Sequence, residues 1–287
     1  MTVRELTAAP NTAALYSRAV LGALAGKKGS TLPALTLVRR NVQIDRAHLA
    51  TYNRVCGFSQ RETLPATYPF VLAFPLHMEI ITAPDFPFAA MGLVHIQNRI
   101  TQHRPVAASE TLTITVSPAN LRPHDKGLQF DILTTLSSGD EVVWEAVSTM
   151  LRRQGGSGDG AAKPAAPKAA SAPAGRAVVQ WTVPGDTGRR YAAASGDRNP
   201  IHLYAFTAKL FGFPRAIAHG MWTKARCLAA LDGRLPDAFT VDVQFKLPVL
   251  LPAKIAFQSD AQGTGISFAV SDSKSGKPHL AGSVHPL

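Results

Sequence analysis

A segment without any large apolar side chain divides the sequence into two parts. Residues 152–176 read RRQGGSGDGAAKPAAPKAASAPAGR, a run of small residues, prolines and charged or polar residues. A run of this composition cannot contribute to a packed core and is typical of a flexible or partly extended linker. Its glycines do not predict a phosphate-binding loop, because no apolar strand precedes them and no helical pattern follows. We therefore predict two folded units, residues 1–151 and 177–287, joined by a linker at 152–176.

Both predicted units end in short β-branched runs separated by turn residues, a pattern typical of antiparallel strands. In the first unit these runs are VHIQNRI (94–100), TLTITVSPANL (111–121), LQFDILTTL (128–136) and EVVWEAVSTML (141–151). In the second unit they are VDVQFKLPV (241–249), KIAFQS (254–259), GISFAVS (265–271) and HLAGSVH (279–285). A helix is predicted before them at 220–231, where Met221, Ala225 and Leu228 recur at helical spacing. The pattern predicts an α+β fold in which a curved antiparallel sheet wraps a long central helix, twice in one chain.

The two units also resemble each other in sequence, which indicates an internal duplication. Three pairs of segments align in the same order: YNRVCGFSQ with YAAASGDRN, PFVLAFPLH with PRAIAHGMW, and VHIQNRI with VDVQFKL. The first alignment places Phe58 opposite Asp197, and the second places Pro75 opposite Gly220. If Gly220 opens a helix, its N–H group can hold a developing oxyanion, whereas Pro75 has no N–H group. We therefore predict that only the second unit keeps reactive groups.

The formal net charge of +11 is spread over the whole chain. Residues 1–151 contribute +13 and −11, the linker +5 and −1, and residues 177–287 +12 and −7. The basic residues form no helical stripe with interleaved aromatic residues, so the charge does not predict a nucleic-acid-binding surface. The basic second unit instead suits an acidic partner, such as a phosphorylated cofactor or an acidic carrier protein.

The sequence predicts neither a membrane span nor a secretion signal. The apolar N-terminal segment TAALYSRAVLGAL is interrupted by Arg18 and followed by Lys27 and Lys28, so we interpret it as an amphipathic surface helix. Cys56 and Cys227 show no disulfide or metal-ligand spacing. We therefore expect a protein of the reducing cytoplasm, without a metal site and without membrane contact.

Three motifs follow one another in the second unit. They are YAAASGDRNPIH (191–202), FPRAIAHGM (213–221) and QFKLPV (244–249). Together they closely resemble the MaoC-like family of (R)-specific enoyl-CoA hydratases and 3-hydroxyacyl thioester dehydratases. The first unit resembles the family in architecture only, as a degenerate hotdog that shapes the acyl pocket. The resemblance implies a double hotdog, with two long central helices each wrapped by a curved antiparallel sheet.

The resemblance implies a reaction and assigns roles to four residues. The reaction is reversible hydration of a trans-2-enoyl thioester to the (R)-3-hydroxyacyl thioester, on coenzyme A or acyl carrier protein, in fatty-acid or related acyl metabolism. No metal or other cofactor is expected. By resemblance, Asp197 and His202 hold and activate the water, and Asn199 orients one of them. Gly220 donates its N–H to the thioester oxygen, where negative charge gathers while protons are exchanged with water.

Non-catalytic interpretations of the same residues stay open. Asp197 and Asn199 also suit an ordinary turn and helix cap. Arg215 and Lys246 flank the motifs and are candidate contacts for the phosphates of coenzyme A or of the carrier, and both also suit a solvated surface charge. His219 is interpreted as structural.

Two further functions compete with the hydratase. One is an acyl thioesterase, because the hotdog fold serves both reactions. The other is a non-catalytic subunit that binds an acyl carrier, with the basic unit docking an acidic partner. The oligomeric state is open, and a homodimer is compatible with the sequence. Apolar residues around Phe58, Phe74 and Pro75 predict an apolar tunnel suited to medium or long acyl chains.

Overall fold

The computed structural model describes residues 2–24, 29–153 and 178–287, with all their side chains except that of Leu24. The predicted linker lies outside the described residues, apart from Arg152 and Arg153, which end a strand. The division into two units joined at 152–176 therefore stays a prediction. No helix in the described part of the chain has the length and apolar character needed to cross a membrane.

The first unit combines strands with three helices in its described residues. In chain order its elements are β1 (Thr2–Leu6), α1 (Thr12–Leu24), β2 (Leu35–Val42), α2 (Arg46–Cys56), α3 (Tyr68–Ile81), β3 (Leu93–Gln102), β4 (Leu112–His124), β5 (Gly127–Ser138) and β6 (Glu141–Arg153). The predicted surface helix is α1, and it buries one side, with Leu15 and Ala19 each 2% exposed. The four strands predicted in this unit are β3 to β6.

The second unit repeats this plan with a longer connection before its central helix. Its elements are β7 (Val178–Val183), α4 (Thr187–Ser195), a 3-10 turn (Pro200–His202), α5 (Ala205–Lys209), α6 (Gly220–Ala230), β8 (Phe239–Phe245), β9 (Ala253–Gln262), β10 (Gly265–Asp272) and β11 (Pro278–Pro286). The strand predicted at 241–249 ends at Phe245, because Pro248 cannot donate a hydrogen bond to a neighbouring strand.

The described strands form one continuous sheet, in the order β1-β2-β4-β5-β6-β3-β8-β11-β10-β9-β7. All neighbours are antiparallel except β1 and β2, which are parallel. The two units meet where β3 pairs with β8, with Gln97 opposite Gln244 and Gln102 opposite Phe239. The predicted α+β double hotdog is confirmed, and the strands of the two units join along this β3–β8 seam.

The central helices α3 and α6 are both buried. Tyr68 and Leu76 of α3 are fully buried, and the predicted core face of α6 is confirmed, since Met221, Ala225 and Leu228 are at most 4% exposed. Removing these apolar surfaces from water is the main force that holds each helix in place.

A buried lysine fastens α6 to the seam between the units. Lys224 is completely buried, and its Nζ donates to Asn98 Oδ1 at 2.6 Å, to the Asn98 carbonyl at 3.0 Å and to the Val241 carbonyl at 3.2 Å. Burial without a contacting carboxylate holds the pKa of Lys224 well below its usual range. Because Asn98 lies on β3 and Val241 on β8, this side chain contacts both units.

The structure bears out one part of the predicted repeat and corrects another. Helices α2 and α4 both end at a left-handed glycine, Gly57 with φ 82° and Gly196 with φ 76°. Tyr52 and Tyr191 lie five residues before these glycines, and their rings are 6.2 Å apart. The alignment of Pro75 with Gly220 is wrong, however.

The error in the second alignment has a structural cause. Pro75 lies inside α3, whereas Gly220 is the first residue of α6. The second unit has 23 residues (197–219) between its left-handed glycine and its central helix, where the first unit has only 10 (58–67). The residue that opens α3 is Tyr68, and its N–H already donates to the Pro65 carbonyl at 2.8 Å.

Candidate active site

The predicted catalytic residues lie in a tight turn that follows α4. Gly196 ends α4 in a left-handed conformation that other residues rarely adopt, which turns the chain sharply before Asp197. The side chain of Asn199 caps the 3-10 turn by accepting a hydrogen bond from the Ile201 N–H at 3.4 Å. The backbone N–H of Asn199 donates to Asp197 Oδ1 at 3.1 Å. Asn199 therefore does act as a cap, and it also orients Asp197 through its main chain.

The two carboxylate oxygens of Asp197 have different surroundings. Oδ1 accepts the Asn199 N–H and also the Tyr16 hydroxyl, at 2.8 Å. Oδ2 lies 3.8 Å from His219 Nε2 and accepts no hydrogen bond among the described residues. Burial would raise the pKa of Asp197, but His219, His202 and these hydrogen bonds outweigh it and hold that pKa below its usual value. Asp197 is therefore a carboxylate at neutral pH with one free oxygen.

His202 presents one ring nitrogen that has no partner among the described residues, and one potential ligand atom of its ring lies within 4.8 Å of one of Asp197. Its Nδ1 lies 2.8 Å from the Ile217 carbonyl, which can only accept, so Nδ1 carries the proton. Nε2 is then the unprotonated nitrogen of a neutral imidazole. Burial lowers the pKa of His202, against the attraction of Asp197, so the ring stays neutral at pH 7. A neutral imidazole with a fixed tautomer can act as a base.

His219 connects the turn to the central helix. It lies just before α6, and its ring stacks on that of His202 with centroids 3.6 Å apart. Its Nε2 lies 3.0 Å from the Asp197 carbonyl and must donate to it, while its Nδ1 is buried without a partner. Burial lowers the pKa of His219 to about 3. The structural interpretation of His219 thus agrees with its contacts.

Gly220 opens α6, as the motif requires. Its N–H donates to no acceptor in the described part of the chain, and it lies at the positive end of the helix dipole. A Cβ added at Gly220 would lie 3.0 Å from two ring atoms of Phe245, so this ring covers the start of the helix. The free N–H group can stabilise an oxyanion.

Asp197, His202 and His219 each place a potential ligand atom within 4.8 Å of the others. However, His202 Nδ1 and His219 Nε2 both carry protons that face carbonyl oxygens, so only the other nitrogen of each ring could bind a cation. The absence of a metal stays a prediction.

The first unit contributes residues that sequence analysis missed. Tyr16 contacts Asp197 although 181 residues separate them in the chain. A methyl group at Gly196 would lie 3.7 Å from both Phe74 of α3 and Thr12 of α1, so both helices border the catalytic turn. No local motif marks Tyr16, and only the fold brings it to the site.

The candidate phosphate contacts are both exposed. Arg215 donates to the Pro252 carbonyl at 3.3 Å, and Lys246 donates to Gln244 Oε1 at 2.5 Å. Neither contacts a predicted catalytic side chain in the described residues. Lys246 does follow Phe245, whose ring lies against Gly220.

Comparison with known proteins supports the motif assignment. The profile of the MaoC like domain matches residues 170–282. The chain is 42% identical over 271 residues to 3-hydroxyacyl-thioester dehydratase X of Mycobacterium tuberculosis, covering 94% of this chain and 96% of that protein.

Solved structures give the same picture of the fold. The crystal structure of HtdX of Mycobacterium tuberculosis is similar with a TM-score of 0.76 and 40% identity, covering 88% of this chain and 100% of that one. A mycobacterial protein described as having a double hotdog fold is similar with a TM-score of 0.53 and 16% identity, covering 91% of this chain and 96% of that one. The second likeness concerns the fold alone.

Proposed function

Because the chain belongs to the MaoC-like dehydratase family, we propose that it catalyses the reversible hydration of a trans-2-enoyl thioester to the (R)-3-hydroxyacyl thioester. The enzyme is thus a hydro-lyase of acyl thioesters. One observation carries the proposal to this site: Asp197, His202 and His219 each place a polar side-chain atom within 4.8 Å of the others, and His219 directly precedes Gly220, the first residue of α6.

Each group has a defined task in the proposed hydration. Asp197 Oδ2 and His202 Nε2 hold one water molecule between them. His202 Nε2 takes a proton from this water while the water oxygen bonds to C3 of the substrate. The electrons of the double bond then move toward the thioester carbonyl. The imidazolium of His202, stabilised by Asp197, then returns a proton to C2 on the same face. Gly220 N–H stabilises the enolate oxygen between the two steps.

The first experiment measures this reaction directly. Absorbance of the conjugated enoyl thioester is followed after addition of crotonyl-CoA and longer enoyl-CoAs. Asp197→Asn and His202→Ala should each lower kcat by about a hundredfold or more, since each removes one proton-transfer group or its counter-charge. Release of free thiol in place of hydration would favour the thioesterase. Binding of acyl carrier without turnover at any chain length would favour the non-catalytic subunit.

A matched pair of variants tests the role of the Gly220 amide. Proline is tolerated at the first position of a helix, and His219 already has the extended conformation (φ −66°, ψ 138°) that a residue before proline requires. Gly220→Pro therefore removes the N–H donor without breaking α6. Gly220→Ala adds a similar Cβ against Phe245 but keeps the donor. We expect the proline variant to lose about 100-fold to 1,000-fold in kcat relative to the alanine variant. Equal activity of the two variants would exclude the amide as the oxyanion donor.

We further propose that the thioester is presented by an acidic carrier protein that docks beside the catalytic turn. The docking surface, here called the α5 patch, consists of exposed Tyr204, Phe206 and Leu210 with the cations Arg189 and Lys209. These three apolar side chains are 47%, 68% and 81% exposed, and the Arg189 guanidinium lies 5.1 Å from the centre of the Tyr204 ring. Neither cation forms an ion pair in the described residues. Exposed apolar groups rimmed by unpaired positive charge suit an acidic protein surface.

The carrier proposal has its own test. Lys209→Glu should raise the KM for an acyl-carrier substrate and reduce its salt dependence, while leaving the kinetics with the matching acyl-CoA unchanged. Lys274→Glu, a charge reversal at an exposed turn in another part of the unit, is the matched control and should affect neither substrate. Equal effects of Lys209→Glu on both substrates would overturn carrier docking at the α5 patch. A change in oligomeric state would identify the patch as a contact between copies instead.

The cellular location and the oligomeric state are part of the same proposal. We place the enzyme in the cytoplasm, where the two buried free thiols of Cys56 and Cys227 stay reduced. Arg215 and Lys246 remain candidate phosphate contacts, and charge reversal at either should then raise the KM for acyl-CoA. Fractionation and light scattering test the location and the homodimer.

A further inference from the structure

We propose that Tyr16, on the N-terminal helix α1, is a positioning residue that fixes which oxygen of Asp197 is available to the catalytic water. This inference rests on the hydration proposed above and adds a residue from outside the matched family domain at 170–282. The Tyr16 hydroxyl donates to Asp197 Oδ1 at 2.8 Å, across 181 residues of chain.

The geometry gives the two oxygens of Asp197 separate tasks. Oδ1 accepts two hydrogen bonds, from Tyr16 and from the Asn199 N–H, and is thereby occupied. Oδ2 accepts none in the described residues and lies on the side of His219, whose ring stacks on His202. Without the Tyr16 hydroxyl, the Asp197 carboxylate can rotate, and either of its oxygens can accept a hydrogen bond from the water. With this hydroxyl in place, Oδ2 is held on the side of the stacked His219 and His202 rings, 3.8 Å from His219 Nε2.

Helix α1 is anchored well enough to hold Tyr16 in place. Asn11 caps its start by accepting the Ala13 N–H at 2.9 Å. Leu15 is buried in the core, and Arg18 forms an ion pair with Glu79 of α3. Packing, capping and charge therefore fix α1 on both sides of Tyr16.

Tyr16 is a hydrogen-bond donor throughout the working range of pH. Burial, together with the negative charge of Asp197, raises the pKa of its phenol above its usual value. The phenol therefore stays protonated and can only stabilise the charged form of Asp197. Loss of the donor should raise the pKa of Asp197, because the carboxylate loses one of the groups that favour its ionised state.

The experiment compares Tyr16→Phe and Tyr16→Ala with the wild-type full-length enzyme. Tyr16→Phe keeps the packed ring and removes only the hydroxyl. We expect it to lower kcat/KM at least about tenfold at pH 7, and to move the acidic limb of the kcat/KM profile toward higher pH. Tyr16→Ala should show at least the same loss. Ser17→Ala removes a hydroxyl that donates to the Ala13 carbonyl within α1; it is the control and should leave rate and profile unchanged.

Each outcome decides between positioning and packing. A Tyr16→Phe enzyme within about twofold of wild type, with an unmoved acidic limb, would overturn the proposal even if Tyr16→Ala is impaired, since the ring alone would then suffice. A uniform loss at all pH values with an unmoved limb would also overturn it. If the wild-type enzyme hydrates no enoyl thioester, the proposed function fails instead, so the two failures are distinguishable.

Discussion

The contact between Gly188 and the catalytic turn should make the enzyme unusually sensitive to a single methyl group. Gly188 lies in the first turn of α4, and a Cβ placed there would lie 2.0 Å from the His202 carbonyl oxygen and 3.1 Å from its carbon. Real Cβ contacts do not fall below 3.0 Å, so α4 and the 3-10 turn must separate by about 1 Å in Gly188→Ala. The clashing atoms belong to the His202 backbone, so no side-chain rotation can relieve the contact.

The expected size of the effect follows from this displacement. Overpacking of this kind costs about 1–3 kcal/mol, against a gain of about 1 kcal/mol from replacing glycine by alanine in a helix. The net loss of unfolding free energy should therefore be at most about 2 kcal/mol. Activity should suffer more, because a displacement of about 1 Å at a catalytic group can lower the rate about a hundredfold.

The assay pairs urea unfolding with enoyl-CoA hydration. Gly185→Ala is the matched control, since its Cβ would lie 3.8 Å from Pro252 Cδ, an ordinary contact. We expect Gly185→Ala to keep wild-type kcat/KM and Gly188→Ala to lose about a hundredfold while still folding. If Gly188→Ala retained kcat/KM within about threefold of the control, the close approach of α4 to His202 would not position the catalytic histidine.

Three further predictions follow from buried groups. Burial lowers the pKa of His77 and His219 to about 3 and that of His95 to about 4, so the folded protein resists their protonation. The unfolding free energy should be constant above about pH 7 and fall by about 2 kcal/mol per histidine by pH 5, because the unfolded histidines bind protons that the folded ones do not. Urea titrations at several pH values measure this, and an unfolding free energy that does not change between pH 7 and pH 5 would contradict it. Lys224→Ala leaves Asn98 and Val241 acceptors unpaired and should cost about 3 kcal/mol or more in urea unfolding, whereas a cost below about 1 kcal/mol would refute the anchoring role. Because Phe74 belongs to the predicted acyl tunnel, Phe74→Ala should shift kcat/KM toward longer enoyl chains, at about 0.8 kcal/mol for each added methylene that becomes buried. An unchanged chain-length series would contradict the place of Phe74 in that tunnel.

Strands with a regular pattern were predictable from the sequence alone. The run at 128–136 lies within β5 (Gly127–Ser138), because alternation of inward and outward side chains leaves a direct trace in the sequence. The edge strands β1 and β7, and β2 beside β1, were missed. In β7 five of the six residues are not buried, so this strand lacks the alternation of buried and exposed side chains by which a half-buried strand is recognised. Helices α2 and α4 were found only as aligned segments.

The candidate site was predictable where its residues are close in sequence. Asp197, Asn199 and His202 share one turn, and their spacing reflects local geometry. The alignment of Pro75 with Gly220 failed because the two units have connections of different length before their central helices. Tyr16 could not be found, because its contact depends on how α1 packs over a turn 181 residues away.

The β3–β8 seam gives the two predicted units the organisation of a tethered heterodimer. The units are held together by a ladder from Gln97↔Gln244 to Gln102↔Phe239, by an ion pair from Arg99 to Asp242, and by Lys224. A covalent tether adds effective concentration to such an assembly and makes none of these contacts itself. A gene divided within codons 154–177 should therefore encode two polypeptides that reassemble into one active site when co-expressed. Fusion and fission of the two predicted units in evolution should then be tolerated, because the contacts that join them do not depend on the tether.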